Sequence, residues 1–292
     1  MFALDHAVVT TRDLDGACEA WERAGFATTP RGFHPFGTKN NIMVLGGTFI
    51  ELFAFEDRGA FDAAVAEGTM PEDLGQLTSD ALETRDGPSL LAVTSADVES
   101  TLDGTDSGQI LVRKPIFFKR GVTLPSGDET AAEVTVHFLA SANGPGLPLF
   151  VSFQHNREAL WVEDWQQHPN GATDLLGATF VASRPQAFAG YLGAVFEAVE
   201  GDEEALRCQT GDGWIDVLTP RRFAQRFGAA PEAPALGSCS FDALTIGVAD
   251  LGRLTDVLAG NGIPFVRGEA DSVQVGKPAG LHTVVEFVAE GA

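Results

Sequence analysis

Two residues of this chain, His6 and Glu51, combine the imidazole and carboxylate groups that zinc, iron, manganese, nickel and cobalt accept as ligands. His6 lies in the apolar opening segment, and Glu51 lies within Phe49–Phe53, where all of its neighbours are apolar. A carboxylate in such a run is costly to bury unless it is paired or bound to a metal. We therefore favour a site for Glu51 over an outward-facing strand position or an arginine partner. For His6, a site and a hydrogen-bonded core position stay equally open.

The loop at residues 32–41 carries a second group of polar side chains, which are His34, Thr38, Asn40 and Asn41. Small polar residues between glycines and a proline can fold over the mouth of a cleft and hydrogen-bond to substrate oxygens. His34 is a candidate general base, because imidazole titrates near neutral pH. The alternative is a surface turn without a ligand, which the loop's composition alone favours.

Two further segments hold candidate contacts. Trp161 lies in a polar stretch and forms either an aromatic wall for a ligand or a clamp between the two halves of the chain. We favour the clamp and keep Trp161 as a candidate substrate contact. Lys119 and Arg120 are adjacent on a predicted strand, where they would either attract an anionic substrate or form salt bridges in an acidic protein.

The elements that position these residues recur four times as a strand, an amphipathic helix and a run of strands. In the first copy, Asp13 starts a helix whose apolar residues, from Leu14 to Trp21, recur at helical spacing. One such unit leaves an apolar sheet face uncovered, so we expect the units to pair. The predicted organisation is an N-terminal half at 1–156 with an acidic insert at 57–87, a connector at 157–172 and a C-terminal half at 173–292.

The strand that closes the second copy, residues 147–154, would mirror the strand bearing Glu51 in a paired barrel. We therefore predict His155, which follows that strand, as a third metal ligand. Strand alternation leaves one question open, because positions 150, 152 and 154 share one face while 151, 153 and 155 share the other. If the first set faces the cleft, Gln154 is the polar group in the site. The opening strand of this copy offers no ligand, so an ion would keep open positions for substrate.

Composition excludes several classes of function. The chain has 41 acidic and 19 basic residues and a formal charge of −22, which disfavours binding to nucleic acid or to an anionic membrane. No apolar run approaches the roughly 20 residues of a membrane span, and the N-terminus is unlike a signal peptide, so we predict a cytoplasmic protein. Its 3 cysteines form no CxxC pair, which disfavours disulfides and thiolate zinc sites. Motifs for nucleotide binding and for serine hydrolysis are missing.

This order of elements, with a histidine in the opening strand and a glutamate in a closing strand, resembles the vicinal oxygen chelate superfamily, and within it the glyoxalase-like domain group. The resemblance covers nearly the whole chain. It is carried by short segments, which are Leu4-Asp5-His6 with Asp13-Leu14, residues 31–40, Phe49-Ile50-Glu51-Leu52, Phe153-Gln154-His155 with Trp161, and residues 168–172. The resemblance implies an α+β fold of four tandem βαβββ modules paired into open barrels.

The resemblance also implies that one divalent ion (Zn, Fe, Mn, Ni or Co) polarises a carbonyl or stabilises an enediolate of a small oxygen-rich substrate. Our first hypothesis is a metal-dependent isomerase, lyase or dioxygenase that acts as a monomer or homodimer. Its metal ligands would be His6, Glu51 and His155, its catalytic residues His34 and Glu51, and its substrate contacts Thr38, Asn40, Asn41, Gln154 and Trp161. The alternative is a metal-free, drug-sequestering or small-molecule-binding protein of the same fold, which the 21 phenylalanines would suit.

Overall fold

The computed structural model describes residues 1–105, 108–196, 198–228, 231, 238–268 and 271–289. Within these ranges the chain forms two mixed β-sheets with helices packed against them, which confirms the predicted α+β class built from tandem modules. None of the helices in the described ranges is long and apolar enough to cross a membrane.

The first sheet contains nine strands, and four helices accompany it. The strands are β1 (Ala3–Thr10), β2 (Gly32–Phe33), β3 (Thr38–Val44), β4 (Phe49–Phe55), β5 (Gly87–Thr94), β6 (Ile110–Val112), β7 (Ile116–Thr123), β8 (Glu129–Ser141) and β9 (Leu149–Gln154). The helices are α1 (Leu14–Arg23), α2 (Arg58–Ala66), α3 (Glu72–Thr84) and α4 (Val98–Thr105). The strand order is β2-β3-β4-β1-β5-β9-β8-β6, and β7 pairs with β8.

The second sheet contains eight strands in the order β11-β12-β13-β10-β14-β17-β16-β15. They are β10 (Ala172–Ala182), β11 (Ala198–Gly201), β12 (Ala205–Gln209), β13 (Trp214–Leu218), β14 (Cys239–Val248), β15 (Val266–Arg267), β16 (Val273–Val275) and β17 (Val284–Ala289). The helices are α5 (Ala189–Val195), α6 (Pro220–Phe227) and α7 (Leu251–Gly260). Short 3-10 turns occupy Arg157–Ala159, Glu163–Gln166, Pro185–Phe188 and Lys277–Ala279.

Each sheet joins two modules through their opening strands. In the first sheet β1 pairs in parallel with β4 and antiparallel with β5, and β5 pairs in parallel with β9. In the second sheet β10, β13, β14 and β17 repeat these pairings in the same order. Residues at matching places in the four modules can therefore be identified from strand register alone.

Strand alternation divides the residues of β1 between two environments. Ala7 and Val9 face an apolar core that one side of each sheet shares with α1, α4, α5 and α7. His6 and Val8 face the other side of the first sheet. Helix α1 begins where predicted, because Asp13 accepts a hydrogen bond from the amide of Gly16, and it buries Trp21 in the shared core.

The acidic segment predicted as an insert contains α2 and α3. Helix α3 turns Leu74 and Thr78 toward the side of the first sheet that faces away from the shared core. The insert therefore covers a cavity on that side. Because the two sheets share one core, the domain boundaries drawn from the sequence stay a prediction.

Candidate active site

A cavity of about 790 Å³, including its opening, lies on the side of the first sheet that faces away from the shared core. Asn40 of β3 and Arg120 of β7 both line it, although these strands lie toward opposite ends of the sheet, so the sheet curves around the cavity. Most of the wall is apolar and includes Phe36, Phe118 and Phe150. A mostly apolar wall with a few convergent polar groups is typical of a site for a small organic molecule.

Glu51 is the central polar group of this cavity. On β4 it alternates with Ile50 and Leu52, which face the shared core, so its own side chain faces the cavity. It is 7% exposed. Asn40 donates a hydrogen bond from Nδ2 to Glu51 Oε1 over 2.5 Å. Glu51 therefore faces a cavity rather than solvent, and its carboxylate is held by an amide rather than by an arginine ion pair, while its role as a ligand or catalytic group stays a prediction.

His6 approaches the same carboxylate, with Nε2 lying 3.7 Å from Glu51 Oε2. Its other ring nitrogen, Nδ1, lies 2.5 Å from Oδ1 of the wholly buried Asp5. Because a carboxylate accepts hydrogen bonds, Nδ1 donates to Asp5 and Nε2 faces the cavity. The ring also stacks on Phe49, with centroids 4.1 Å apart. His6 is thus fixed in one orientation with Nε2 toward Glu51.

A bulge in β1 makes the Asp5–His6 contact feasible. Leu4 pairs with Val93 and His6 pairs with Ala92, so Asp5 is an extra residue in the ladder. Regular alternation would send the side chains of Asp5 and His6 to opposite faces. The extra residue brings the side chains of Asp5 and His6 onto the same side of the strand. Strand periodicity alone did not predict this contact.

His34 lies between β2 and β3, on the other side of Glu51, with Nε2 3.8 Å from Glu51 Oε1. Its Nδ1 lies 3.0 Å from Thr38 Oγ1, and its ring is parallel to that of Phe36. Burial, with a smaller effect from Arg120, lowers the pKa of His34 to about 3. The predicted titration near neutral pH is therefore wrong, and His34 fits a neutral positioning group better than a general base.

Arg120 is the cationic group of the cavity. Alternation along β7 separates it from Lys119, which pairs with Glu133 on the surface. Arg120 is 7% exposed, and burial lowers its pKa while the nearby Glu51 opposes the change. Among the described residues its guanidinium makes neither a hydrogen bond nor an ion pair.

The open question of strand parity in β9 is resolved in favour of Gln154. Ser152 and Gln154 line the cavity, and Gln154 donates a hydrogen bond to Ser152. His155 is exposed on the outside of the sheet, where Nε2 lies 2.8 Å from Thr135 Oγ1. The prediction of His155 as a metal ligand is therefore wrong, because its side chain is not part of the cavity.

Of the remaining predicted substrate contacts, some lie at the cavity and others lie outside it. Asn40 lines the cavity, and Thr38 is buried behind His34. Asn41 points to the other face of β3 and donates to the carbonyl of Thr29, so it is not a substrate contact in this structure. Trp161 also lies outside the cavity, because it stacks under the guanidinium of Arg157 and meets the ring of Phe49 edge-on. It packs behind the wall of the cavity, and a clamp between the two halves of the chain stays a prediction.

The donors present do not form the predicted three-ligand metal site. His6 pairs with Ala92 across β1 and β5, and Glu51 corresponds by register to Ser152, so the second module supplies no ligand at the matching places. Within the described parts of the chain no group of three or more His, Cys, Asp or Glu side chains is arranged to hold an ion. The part of the prediction that the structure retains is the His6–Glu51 pair.

The second sheet also carries acidic residues on the side that faces away from the shared core, namely Asp216 on β13, which matches Glu51 by register, and Glu286 on β17. Arg226 of α6 pairs with both carboxylates. Arg207 adds two further hydrogen bonds to Asp216, each of 2.7 Å. The acidic groups of the second sheet thus have arginine partners within the chain, and the cavity beside them is lined by these ion pairs rather than by an apolar wall.

Comparison with known proteins agrees with this architecture. The glyoxalase-like domain matches residues 4–196. A hypothetical protein from Staphylococcus aureus superposes with a TM-score of 0.70 at 11% identity, covering 99% of this chain and 100% of that one. A variant of 4-hydroxymandelate synthase from Streptomyces coelicolor superposes with a TM-score of 0.57 at 13% identity, covering 100% of this chain and 94% of that one. No curated protein matches in sequence. The structural likenesses show a shared fold.

Proposed function

Because the chain belongs to the glyoxalase-like domain family, we propose that it is an enzyme that binds a small organic molecule in the cavity of the first sheet and moves a proton at a carbon next to a carbonyl group. The observation that carries the proposal is the buried Glu51 carboxylate, which faces a mostly apolar cavity and lies between two imidazoles. The reaction would be an isomerisation or a lyase-type elimination, since both begin with such a proton transfer.

Glu51 is the proposed general base. Asn40 occupies Oε1 and leaves Oε2 toward His6, so Oε2 is the oxygen that would accept the proton. The apolar wall around Glu51 supports this role.

His6 and Asp5 form the second part of the proposed machinery. The protonated Glu51 would pass its proton to Nε2 of His6, and the buried Asp5 would stabilise the resulting imidazolium. The proton could then return to another atom of the substrate, which completes an isomerisation. His34 and Asn40 would hold the carboxylate and the substrate in place, since His34 stays neutral over the working pH range.

A divalent ion fits this donor set incompletely, because in the described parts of the chain no three His, Cys, Asp or Glu side chains are arranged to hold one. We therefore assign the roles above to side chains alone and route no step through a metal. A cytoplasmic location, the absence of nucleic-acid and membrane partners, and a monomeric or homodimeric state stay predictions from the sequence.

The second candidate is a small-molecule-binding protein without catalysis. The apolar wall favours it, because Phe36, Phe118 and Phe150 would hold a hydrophobic ligand whether or not Glu51 reacts. Both candidates use the same cavity, so replacement of Glu51 tells them apart. An enzyme would lose its turnover of the ligand, whereas a protein that only binds would show no turnover in either form and would keep its ligand.

The test is solvent deuterium exchange, followed by proton NMR in D₂O for a panel of hydroxy ketones, 2-oxo acids and 2-hydroxy aldehydes. We expect the wild-type protein to exchange a proton next to the carbonyl of at least one compound, and Glu51→Gln to lower the rate about 100-fold or more. His6→Gln should also lower it. His155→Gln is the matched control, because it changes an exposed histidine outside the cavity.

The assay is repeated with a chelator and with added Zn²⁺, Fe²⁺, Mn²⁺, Ni²⁺ or Co²⁺. Exchange that survives the chelator supports the side-chain mechanism. Exchange that requires one of the ions would restore the metal-dependent hypothesis and overturn our assignment of roles. Binding without exchange for every compound would favour the binding protein.

A further inference from the structure

Arg120 is a buried cation for which the described residues provide neither a hydrogen-bond nor an ion-pair partner. Its side chain is 7% exposed and lines the cavity, yet no carboxylate, carbonyl or hydroxyl of the described residues accepts a hydrogen bond from it. A guanidinium in such a place is costly, because it has lost water and the nearby Glu51 carboxylate lies beyond ion-pair distance. The chain has 41 acidic residues, so partners are not scarce in general.

Gly32 provides the space that the guanidinium occupies. A Cβ added at Gly32 would lie 2.3 Å from Nη1 of Arg120 and 2.5 Å from Oδ1 of Asn40. Any side chain there would push both groups away, so the close approach of the β2 backbone depends on glycine. Arg120 is thus seated beside Asn40, the residue that holds Glu51.

From this geometry we infer that Arg120 recognises a carboxylate group on a substrate whose remaining body is apolar. The planar guanidinium can hold both oxygens of a carboxylate side by side. The apolar part would pack against Phe36, Phe118 and Phe150. The inference rests on the proposed function only in that it assigns a substrate class to the same cavity.

A carboxylate suits the site better than a phosphate. A phosphate monoester carries nearly two negative charges, whereas the cavity offers one guanidinium and already contains the Glu51 carboxylate, which would repel a second charge. A carboxylate carries one negative charge, which balances the single positive charge of Arg120. A carboxylate held there also lies on the same side of the cavity as Asn40, so the adjoining carbons of the substrate are directed toward Glu51.

The test measures binding rather than turnover. Isothermal titration compares a series of aliphatic and aromatic monocarboxylates of about four to nine carbons with their neutral amides, which have nearly the same shape. We expect at least one acid to bind the wild-type protein about tenfold or more tightly than its amide, which is the usual effect of a charge-assisted hydrogen bond. Arg120→Met should abolish this preference, and Arg120→Lys should retain part of it.

Stability measurements show whether a loss of the acid preference in Arg120→Met comes from misfolding rather than from the missing guanidinium. Because the guanidinium is buried without a partner, Arg120→Met should unfold at the same urea concentration as the wild type or at a higher one. Loss of the acid preference in a variant of unchanged stability therefore supports the inference. Equal affinity for acid and amide in the wild type, across the whole series, overturns it, and so does a preference that persists in Arg120→Met.

Glu51→Gln separates this inference from the proposed function. It should bind the acids as well as the wild type or better, because one repelling charge has been removed. Acid-selective binding without any deuterium exchange in the wild type would reject the proposed enzyme and keep the carboxylate site. Exchange with uncharged compounds, and no preference for acids, would reject the carboxylate site and keep the enzyme.

Discussion

The buried state of His34 predicts a dependence of stability on pH. Burial lowers its pKa from 6.5 to about 3, so in the folded protein it stays neutral in mild acid while in the unfolded chain it takes up a proton. Its contribution to stability is therefore complete above the unfolded pKa and is lost as the pH falls toward the folded one. The folded protein should therefore become less stable as the pH is lowered.

The size of this loss follows from linkage. Between about pH 7 and about pH 5.5, protonation of the unfolded histidine lowers the free energy of unfolding by about 1.2 kcal/mol, and the total reaches about 4 kcal/mol near the folded pKa. Over the upper part of this range the folded His34 is neutral throughout. The effect between the two pH values therefore depends on the unfolded pKa and hardly on the folded one.

The perturbation is His34→Gln, which keeps a polar side chain of similar size but cannot take up a proton. Urea unfolding followed by tryptophan fluorescence, at about pH 7 and about pH 5.5, should show a pH-dependent loss that is about 1.2 kcal/mol smaller in the variant than in the wild type. Burial also lowers the pKa of His168, but this histidine is present in both proteins, so its contribution to the pH dependence cancels in the comparison. His155→Gln is the control and should follow the wild type.

An identical pH dependence in His34→Gln and the wild type would refute the reasoning. It would mean that His34 is hydrated or charged in the folded protein. The role of a neutral group beside Glu51 would then have to be abandoned as well.

Three further predictions concern other parts of the chain. Gly32→Ala should weaken binding of a carboxylate probe about tenfold by displacing Arg120, whereas Gly121→Ala, which has open space around it, should not; titration calorimetry measures both. Arg226→Met should lower the free energy of unfolding by about 2–4 kcal/mol near pH 7, and by less in acid, because it leaves the buried Glu286 without an ion-pair partner and removes one of the two arginines that bind Asp216; equal loss at both pH values would contradict this. Tyr191→Phe should cost about 1–2 kcal/mol in urea unfolding, because the hydroxyl hydrogen-bonds to the carbonyls of Leu139 and Leu147; no measurable loss would argue against the contact.

Much of the fold was predictable because the signals that specify it are local. Alternation of apolar residues marked the strands, and the helix that starts at Asp13 has a capping residue and a buried stripe ending at Trp21. Helix α6 was missed, although Thr219 caps it and Pro220 occupies its first turn. Its short amphipathic pattern could have revealed it, but the module repeat has no place for a helix after the third copy.

The candidate site was only partly predictable, because side-chain direction depends on details that single residues do not carry. Glu51 was found from its apolar neighbours. His155 was assigned wrongly, since both faces of β9 carry polar residues and the sequence does not say which face meets the cleft. The Asp5 contact depends on a bulge that appears only when the partner strand is known. The isolation of Arg120 depends on Gly32, which is distant in sequence.

Arg226 binds Asp216 and Glu286 within the second sheet, so these three charges stabilise one another without a ligand. In the first sheet no described side chain pairs with Arg120 in this way, and we propose that a bound carboxylate supplies the contact. A substitution in the first cavity should then change ligand binding while the ion pairs of Arg226 continue to stabilise the other sheet.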